Sequence, residues 1–234
     1  MELIMRYMGG KARAGKHIAG FLNDALQGRK DFYEPFVGGC NLLKHITTDG
    51  RVTLSDVNSA LGSLYSAYRE GWEPPEFVSE DEYAAAKDLP NSDPTKAFVA
   101  ICGSFGCKWF GGYARGGGRN FFSEGCRNLS KTKLRELKQY IRSGSYDEVI
   151  RNVENAVIYC DPPYTNTTGY SATGGFDHDA FWSWCQRMAV GNDVFVSEYA
   201  CPVPNTCLWE KQQKTTCTTS AYKTATERLF KIEP

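Results

Sequence analysis

Hydrophobic and polar side chains alternate with two different periods along the first 70 residues. Apolar positions recur at helical spacing in residues 18–26 and 58–69, and residues 41–46 are also predicted to be helical. Two short apolar runs, 31–37 and 51–56, are predicted to be strands. Helices that alternate with strands are typical of an α/β fold with a parallel sheet.

The same pattern returns in the last third of the chain. The apolar runs 155–160 and 193–197 are predicted strands, and residues 179–189 between them have a helical period. Residues 215–232 alternate polar and apolar side chains, as a terminal hairpin does. We therefore expect both ends of the chain to form one doubly wound, Rossmann-like α/β sheet.

The middle of the chain departs from this pattern after residues 71–75, where the sequence GWEPP indicates a boundary. Residues 79–87 and 95–102 have helical spacing, residues 103–118 are dense in glycine and aromatic side chains, and residues 130–142 are predicted to form a basic helix. The sequence therefore predicts a small, mainly helical insert in the α/β domain.

We expect residues 1–70 and 146–234 to form the main domain and residues 71–145 to form the insert. A chain of 234 residues with 41% hydrophobic side chains can bury one sizeable core with such an addition.

The net charge is zero, but residues 102–142 carry nine Lys and Arg against two Glu, a local charge of +7 that leaves −7 for the rest. This separation suits a face that contacts phosphates; a solvated helix face is the other interpretation.

The cysteine and histidine content indicates neither a disulfide framework nor a metal site. The nine cysteines are odd in number and include no C-x-x-C pair, and there are only three histidines. No run approaches the roughly 18 apolar residues of a membrane helix, and the N-terminal apolar run is too short for a signal peptide. We expect a cytoplasmic protein with reduced thiols, without metal and without a membrane partner.

The segment Asp161-Pro162-Pro163-Tyr164 follows the apolar run 155–160 and carries the clearest chemistry. Consecutive prolines fix φ and remove backbone donors, which leaves carbonyl oxygens to face a cleft at the end of the strand. The Asp161 carboxylate and a proline carbonyl can accept both N–H bonds of a planar amine while Tyr164 stacks on its ring. Asp161, Pro162 and Tyr164 are therefore the candidate catalytic residues; the simpler interpretation is a Pro-Pro turn.

A second pattern joins the ends of the first two predicted strands. Glu34 and Phe36 lead into glycines from Gly38 onward, and Asp56 ends the next strand about 18 residues later. In doubly wound folds such glycines let the backbone approach a nucleoside ligand, and the acid accepts hydrogen bonds from ribose hydroxyls. The fuller G-x-G-x-x-G pattern of NAD sites is missing, and the glycines alone are also compatible with a simple turn.

Four motifs in this order resemble the Dam-like, D12 class family of DNA adenine-N6 methyltransferases. They are G-G-K at 9–11, E-P-F-x-G at 34–38, D-x-N at 56–58 and, after the insert, D-P-P-Y at 161–164. Their order and spacing are more specific than any single motif. The resemblance implies transfer of a methyl group from S-adenosylmethionine to N6 of an adenine flipped out of double-stranded DNA.

The resemblance also implies roles for individual residues. The residues matching cofactor-binding positions are Tyr7, Lys11, Glu34, Phe36, Gly38, Asp56 and Asp161. Those matching the pocket for the flipped base are Lys11, Tyr164 and Phe176, where residues 169–178 are similar to a loop that closes over the base. For Phe176, packing within the core is the alternative.

The resemblance ends in the insert. Family members that recognise GATC carry an asparagine- and arginine-rich hairpin followed by N-x-P-F-G, whereas residues 103–125 have the sequence GSFGCKWFGGYARGGGRNFFSEG. The candidate DNA-binding residues are Arg115, Arg119, Asn120, Arg127 and Lys131, which can contact base edges or only phosphates. The target sequence therefore stays open.

Two alternative functions also stay open. A D-P-P-Y site accepts any planar amine in principle, so the acceptor could be cytosine N4 or an RNA adenine. A DNA-binding protein with a decayed methylase domain is the second alternative. The sequence does not distinguish a restriction-modification system from a mobile element or a host pathway, and it leaves the oligomeric state open, with a monomer favoured.

Overall fold

A computed structural model describes residues 7, 9–11, 14–27, 31–136, 139–165, 175–217 and 221–234, and over 213–217 and 221–224 it describes the backbone alone. The strands are β1 Asp31–Glu34, β2 Val52–Asp56, β3 Gln139–Ser143, β4 Ala156–Cys160, β5 Asp193–Glu198, β6 Asn205–Cys217 and β7 Ala221–Ile232. The α-helices are α1 Gly15–Leu26, α2 Ser59–Arg69, α3 Glu80–Ala85, α4 Pro94–Cys102, α5 Phe121–Leu129, α6 Tyr146–Val149 and α7 His178–Ala189. Short 3-10 turns occupy Leu43–His45, Ala86–Asp88 and Phe105–Cys107.

In the described part of the chain, all seven strands belong to one sheet with the order β3-β2-β1-β4-β5-β7-β6. The five strands from β3 to β5 are parallel, with Phe32 of β1 opposite Val52 of β2 and Val157 of β4. Strand β7 runs antiparallel to both β5 and β6. Parallel strands joined through helices confirm the predicted doubly wound, Rossmann-like α/β fold.

The two faces of the sheet bury separate hydrophobic clusters because successive side chains of a strand point to opposite faces. In β4, Tyr159 contributes to the cluster that also contains Ile18 of α1. Its neighbour Ile158 contributes to the other cluster, together with Phe181 of α7. Every residue of β4 is buried, as expected for a central strand that helices cover on both sides.

The residues predicted to form the insert pack against the rest of the chain through α4. Phe98 and Ile101 of this helix belong to the same hydrophobic cluster as Leu61 and Leu64 of α2. The core of the insert is therefore continuous with one face of the sheet. Strand β3 follows the insert helices and lies within the predicted insert range 71–145, but it pairs with β2 at the edge of the main sheet. No helix among the described residues is long and apolar enough to cross a membrane.

The basic helix predicted over residues 130–142 is wrong. The helix of this region is α5, which ends at Leu129, and the chain then turns, with Lys133 in the left-handed region at φ 62°. Gln139 begins β3 instead, opposite Val52. The basic residues made the segment polar enough for a surface helix, but pairing with β2 determines its backbone conformation.

The helix predicted over residues 41–46 is also wrong, since only a 3-10 turn forms there. The Asn23 side chain of α1 donates to the His45 carbonyl at 2.9 Å and accepts from the Thr47 amide at 3.0 Å. These bonds hold the segment against α1 in place of a continued helix. The terminal hairpin is confirmed, but it begins at Asn205, earlier than predicted.

Candidate active site

Carboxylates stand at the ends of three neighbouring parallel strands. Glu34 is the last residue of β1, Asp56 is the last of β2, and Asp161 follows β4 directly. Parallel strands end at one edge of a sheet, so these acids meet there. They lie close enough to interact electrostatically, since the charges of Asp161 and Asp56 add to burial in raising the pKa of Glu34.

The side chain of Lys11 lies at the centre of this edge and is only 7% exposed. Its Nζ is 2.5 Å from Asp161 Oδ1 and 3.3 Å from Glu227 Oε1, and it donates to the Gly9 carbonyl at 3.2 Å. Burial opposes the charge of the ammonium, but the two carboxylates outweigh this and raise the pKa of Lys11. Lys11 is therefore a buried cation shared by two acids.

Tyr164 is oriented by contacts with several neighbouring residues, among them a side-chain hydrogen bond with Asp161. Its hydroxyl donates to Glu227 Oε1 at 3.2 Å, and Lys11 Nζ lies 4.8 Å from the ring centroid. The Tyr199 ring meets it nearly edge-on, with centroids 4.7 Å apart. Burial raises the pKa of the Tyr164 hydroxyl well above its usual value, so it remains a neutral donor.

Asp161 has an environment of opposing electrostatic effects in which burial dominates. Burial raises its pKa, Lys11 lowers it, and the Glu227 carboxylate raises it again, with a resulting pKa of about 6. The side chain retains 17% exposure. At neutral pH Asp161 is therefore an ionised hydrogen-bond acceptor.

Glu34 is 4% exposed, and its Oε2 accepts no hydrogen bond from the described residues. Burial raises its pKa well above the usual value, and the neighbouring acids add to this. A buried carboxyl oxygen without a donor is costly unless a ligand supplies one. Glu34 is therefore suited to bind a ligand that supplies a hydrogen-bond donor or a positive charge.

Asp56 is held in place by the backbone around it. Its Oδ2 accepts from the Gly38 amide and its Oδ1 from the Asn58 amide, both at 3.0 Å. Burial raises the pKa of Asp56 to about 6, while these two bonds lower it. Asn58 in turn caps α2 by accepting from the Ala60 amide at 3.2 Å. The D-x-N motif therefore fixes the glycine loop and starts the helix.

The backbone at Gly38 lies directly beneath an aromatic ring. Gly38 has a φ of 45°, and a Cβ there would lie 3.0 Å from Cε1 of Tyr7. The Tyr65 hydroxyl donates to the Gly38 carbonyl. The loop after β1 therefore requires glycine both for its backbone conformation and for the close approach of Tyr7.

Phe36 and Phe176 lie together in an aromatic cluster beside this edge. Their ring centroids are 5.9 Å apart, and Phe36 also contacts Tyr146 and Phe181. Phe176 therefore makes the core-type contacts of the alternative interpretation, and its role as a second stacking surface stays a prediction. Within the loop 169–178 that resembles a base-closing loop, residues 169–174 lie outside the described residues.

Comparison with known families identifies the chain. The sequence model described as D12 class N6 adenine-specific DNA methyltransferase matches residues 7–106 and 109–228. The protein belongs to this family. No curated protein sequence matches it. Among solved structures, it is similar to the rRNA methyltransferase aviRa from Streptomyces viridochromogenes at 13% identity, with 92% of this chain and 84% of that chain covered and a TM-score of 0.40.

Two of the predicted DNA-binding arginines of this methyltransferase form ion pairs within the insert. The Arg115 guanidinium contacts the Glu80 carboxylate, and both side chains are largely exposed. Arg119 makes a bidentate contact with Glu124 through Nε at 2.8 Å and a terminal nitrogen at 2.5 Å. These carboxylates compete with DNA phosphates for the same guanidinium donors.

The other three predicted DNA-binding residues have different surroundings. Asn120 caps α5 by accepting from the Phe122 and Ser123 amides at 3.1 and 3.0 Å, and its amide donates to a backbone carbonyl. Arg127 donates to the Ser123 hydroxyl at 2.8 Å, and Lys131 is exposed. Asn120 is therefore engaged at both ends of its amide, whereas Arg127 and Lys131 lie at the surface.

The sequence interpretation assigned no role to two acids of the methyltransferase site. Glu227, in β7, contacts both Lys11 and Tyr164. Glu198 ends β5, is fully buried, and accepts from the Thr165 amide at 3.0 Å. Glu198 carries the same signal as Asp56, an acid at the end of an apolar strand. Glu227 offers only a weak signal, an acid just before the apolar end of a strand.

Proposed function

We propose that this methyltransferase uses S-adenosylmethionine to methylate N6 of an adenine flipped out of duplex DNA. The observation that carries the proposal is the arrangement at the end of β4. There Asp161 and Tyr164 stand on either side of two prolines, with the buried Lys11 against both. Family membership supports adenine N6 as the acceptor.

The residues of the D-P-P-Y segment act on the amine of the base. In this proposal the Asp161 carboxylate and the Pro162 carbonyl accept its two N–H bonds, and Tyr164 stacks on the ring. Two acceptors draw the protons away from the nitrogen and free its lone pair for attack. No strong base is required, because the methylated ammonium is very acidic and loses its proton readily.

The acids at the strand ends fit S-adenosylmethionine, which supplies an electrophilic methyl group on a sulfonium sulfur. Glu34, buried with an oxygen that lacks a donor among the described residues, suits the ammonium of the methionine part. Asp56 suits the ribose hydroxyls, and the bare backbone at Gly38 beneath Tyr7 allows close approach. Lys11 is the one cation in direct contact with Asp161 in the described part of the site, so a cationic ligand improves the local balance of charge.

Duplex DNA is the proposed partner, with residues 71–145 as the recognition insert. The local charge of +7 over residues 102–142 supports phosphate contacts there. Arg115, Arg119, Arg127 and Lys131 are the proposed contacts. Asn120 contributes by starting α5, which carries Arg127.

The experiment that tests this function offers labelled S-adenosylmethionine with duplex DNA or RNA and digests the product to nucleosides. We expect label in N6-methyladenine from duplex DNA with the wild type and at least a hundredfold less with Asp161→Asn. Label found only in N4-methylcytosine or in RNA would overturn the proposal. No transfer, together with no calorimetric heat from S-adenosylmethionine while DNA still binds, would indicate the decayed domain.

A further inference from the structure

Glu227 connects the antiparallel strand β7 to the catalytic segment after β4. The residue is 5% exposed, although it belongs to a strand whose partner β6 lies at the edge of the sheet. One carboxylate oxygen, Oε1, is 3.2 Å from the Tyr164 hydroxyl and 3.3 Å from Lys11 Nζ. Both contacts reach residues that the proposed function places around the flipped base.

We propose that Glu227 is a positioning residue for methyl transfer, an inference that rests on the proposed function. It restrains the position of the Tyr164 ring through the hydroxyl and holds the Lys11 ammonium between two carboxylates. Stacking on a base requires a ring with a fixed orientation, and a side chain gains this from contacts that restrain its rotation. The Tyr199 ring restrains Tyr164 at the edge, and Glu227 restrains it at the hydroxyl.

The contact with Lys11 determines how available Asp161 is to an amine. Lys11 Nζ is 2.5 Å from Asp161, and Glu227 competes for the same ammonium from 3.3 Å. Without the charge of Glu227, Lys11 would pair with Asp161 alone and weaken it as an acceptor for the N–H bonds of the base. Glu227 therefore keeps Asp161 basic enough to accept those bonds.

The charges around Asp161 predict in which direction its pKa changes when Glu227 is neutralised. The titratable groups that interact with Asp161 are Lys11, Glu34, Tyr159, Tyr164, Glu198 and Glu227. Among them the Glu227 carboxylate raises the pKa of Asp161. Neutralising Glu227 should lower that pKa, so the acid limb of the pH–rate profile should move to lower pH.

A purely structural role for Glu227 is separable from this one. The end of β7 is held by pairing of Leu229 with Ser197 of β5 and by the buried side chains of Leu229 and Phe230. Glu227→Gln preserves size and an acceptor oxygen and removes only the charge. Glu210→Gln is the matched control, because Glu210 lies on the adjacent strand with a 62% exposed side chain.

The experiment compares methyl-transfer kinetics of the wild type, Glu227→Gln, Tyr164→Phe, the double variant and Glu210→Gln between about pH 5 and 9. For Glu227→Gln we expect kcat lower by about ten- to a hundredfold, KM for both substrates within about twofold, and an acid limb at lower pH. Because the two residues share one contact, the double variant should lose less than the product of the single losses. Glu210→Gln should match the wild type.

Two results would overturn the role of Glu227: an unchanged kcat and acid limb in Glu227→Gln, or losses that multiply fully in the double variant. Carbon-13 NMR titration of the Asp161 carboxyl in the free protein gives a second readout, and an unchanged Asp161 pKa in Glu227→Gln also contradicts it. This readout requires no methyl transfer, so a wild type that leaves adenine unmethylated overturns the proposed function alone. If Glu227→Gln does not fold, Tyr164→Phe replaces it, and an unchanged kcat there counts against the proposal.

Discussion

Two regions of the methyltransferase in which cations meet carboxylates differ sharply in their surroundings. The side chains of Lys11 and Glu227 are each only 7% exposed. On the insert, Arg115 and Glu80 have side chains that are 69% and 57% exposed. Water screens the charges of the second region effectively and those of the first region much less.

The difference indicates which ion pairs are fixed and which can exchange. Removing one member of a buried pair leaves an uncompensated charge, so such a pair holds its geometry. An exposed pair contributes little net free energy and gives up a partner easily. The Lys11 cluster is therefore suited to holding a reacting group in place. The insert arginines are suited to exchanging a carboxylate for a phosphate.

The largest effect is expected from Lys11→Met, which removes the buried ion pairs with Asp161 and Glu227. Asp161 and Glu227 then lose their shared cation, and the free energy of unfolding should fall by roughly 3–5 kcal/mol. Methyl transfer should fall by at least a hundredfold. Urea unfolding measures the first and the nucleoside assay the second. Lys131→Met is the control for stability and should change the free energy of unfolding by under about 0.5 kcal/mol. Equal stabilities for the two variants would contradict the contrast.

A second prediction uses the raised pKa of Asp56 to sharpen the buried side of the comparison. Its pKa rises from 3.8 to about 6 on folding, mainly through burial. A raised pKa stabilises the fold below the unfolded value, and this contribution is lost as the pH rises through the folded value. The wild type should therefore lose up to about 3 kcal/mol relative to Asp56→Asn between pH 4 and 7.

Urea unfolding of the wild type and of Asp56→Asn across this pH range measures the effect. Subtracting one free energy of unfolding from the other removes most contributions from other titratable groups. A difference that stays constant with pH would show that Asp56 titrates normally in the folded protein. Asp56→Asn should also weaken the binding of S-adenosylmethionine, which calorimetry reports independently of stability.

The site acids at the strand ends could be predicted from the sequence. At Glu34, Asp56 and Asp161 an acid stands where a hydrophobic run with the pattern of a strand ends. Glu227 could not be placed in the same way. Its partner Tyr164 lies far away in sequence, and the two meet only because β7 inserts between β5 and β6. Asn120 shows a different difficulty: whether an asparagine is a helix cap depends on where the helix starts, and the sequence placed the helix at residues 130–142 instead of at α5.

The smallest effect is expected from a substitution that removes the exposed ion pair between Glu80 and Arg115. Glu80→Gln releases Arg115 from its carboxylate, so a DNA phosphate no longer has to displace that partner. We expect duplex binding to become about two- to fivefold tighter at low salt, with the gain shrinking as salt rises.

Glu136→Gln is the matched control for this prediction, since it changes the net charge of the same insert equally at another exposed acid. Fluorescence anisotropy with one duplex at several salt concentrations measures both variants. If Glu80→Gln tightens binding no more than Glu136→Gln, then Arg115 does not contact the duplex and the gain reflects net charge alone. A larger gain in Glu80→Gln identifies an arginine that exchanges an internal carboxylate for DNA, as its exposure and the weak energetics of surface ion pairs together imply.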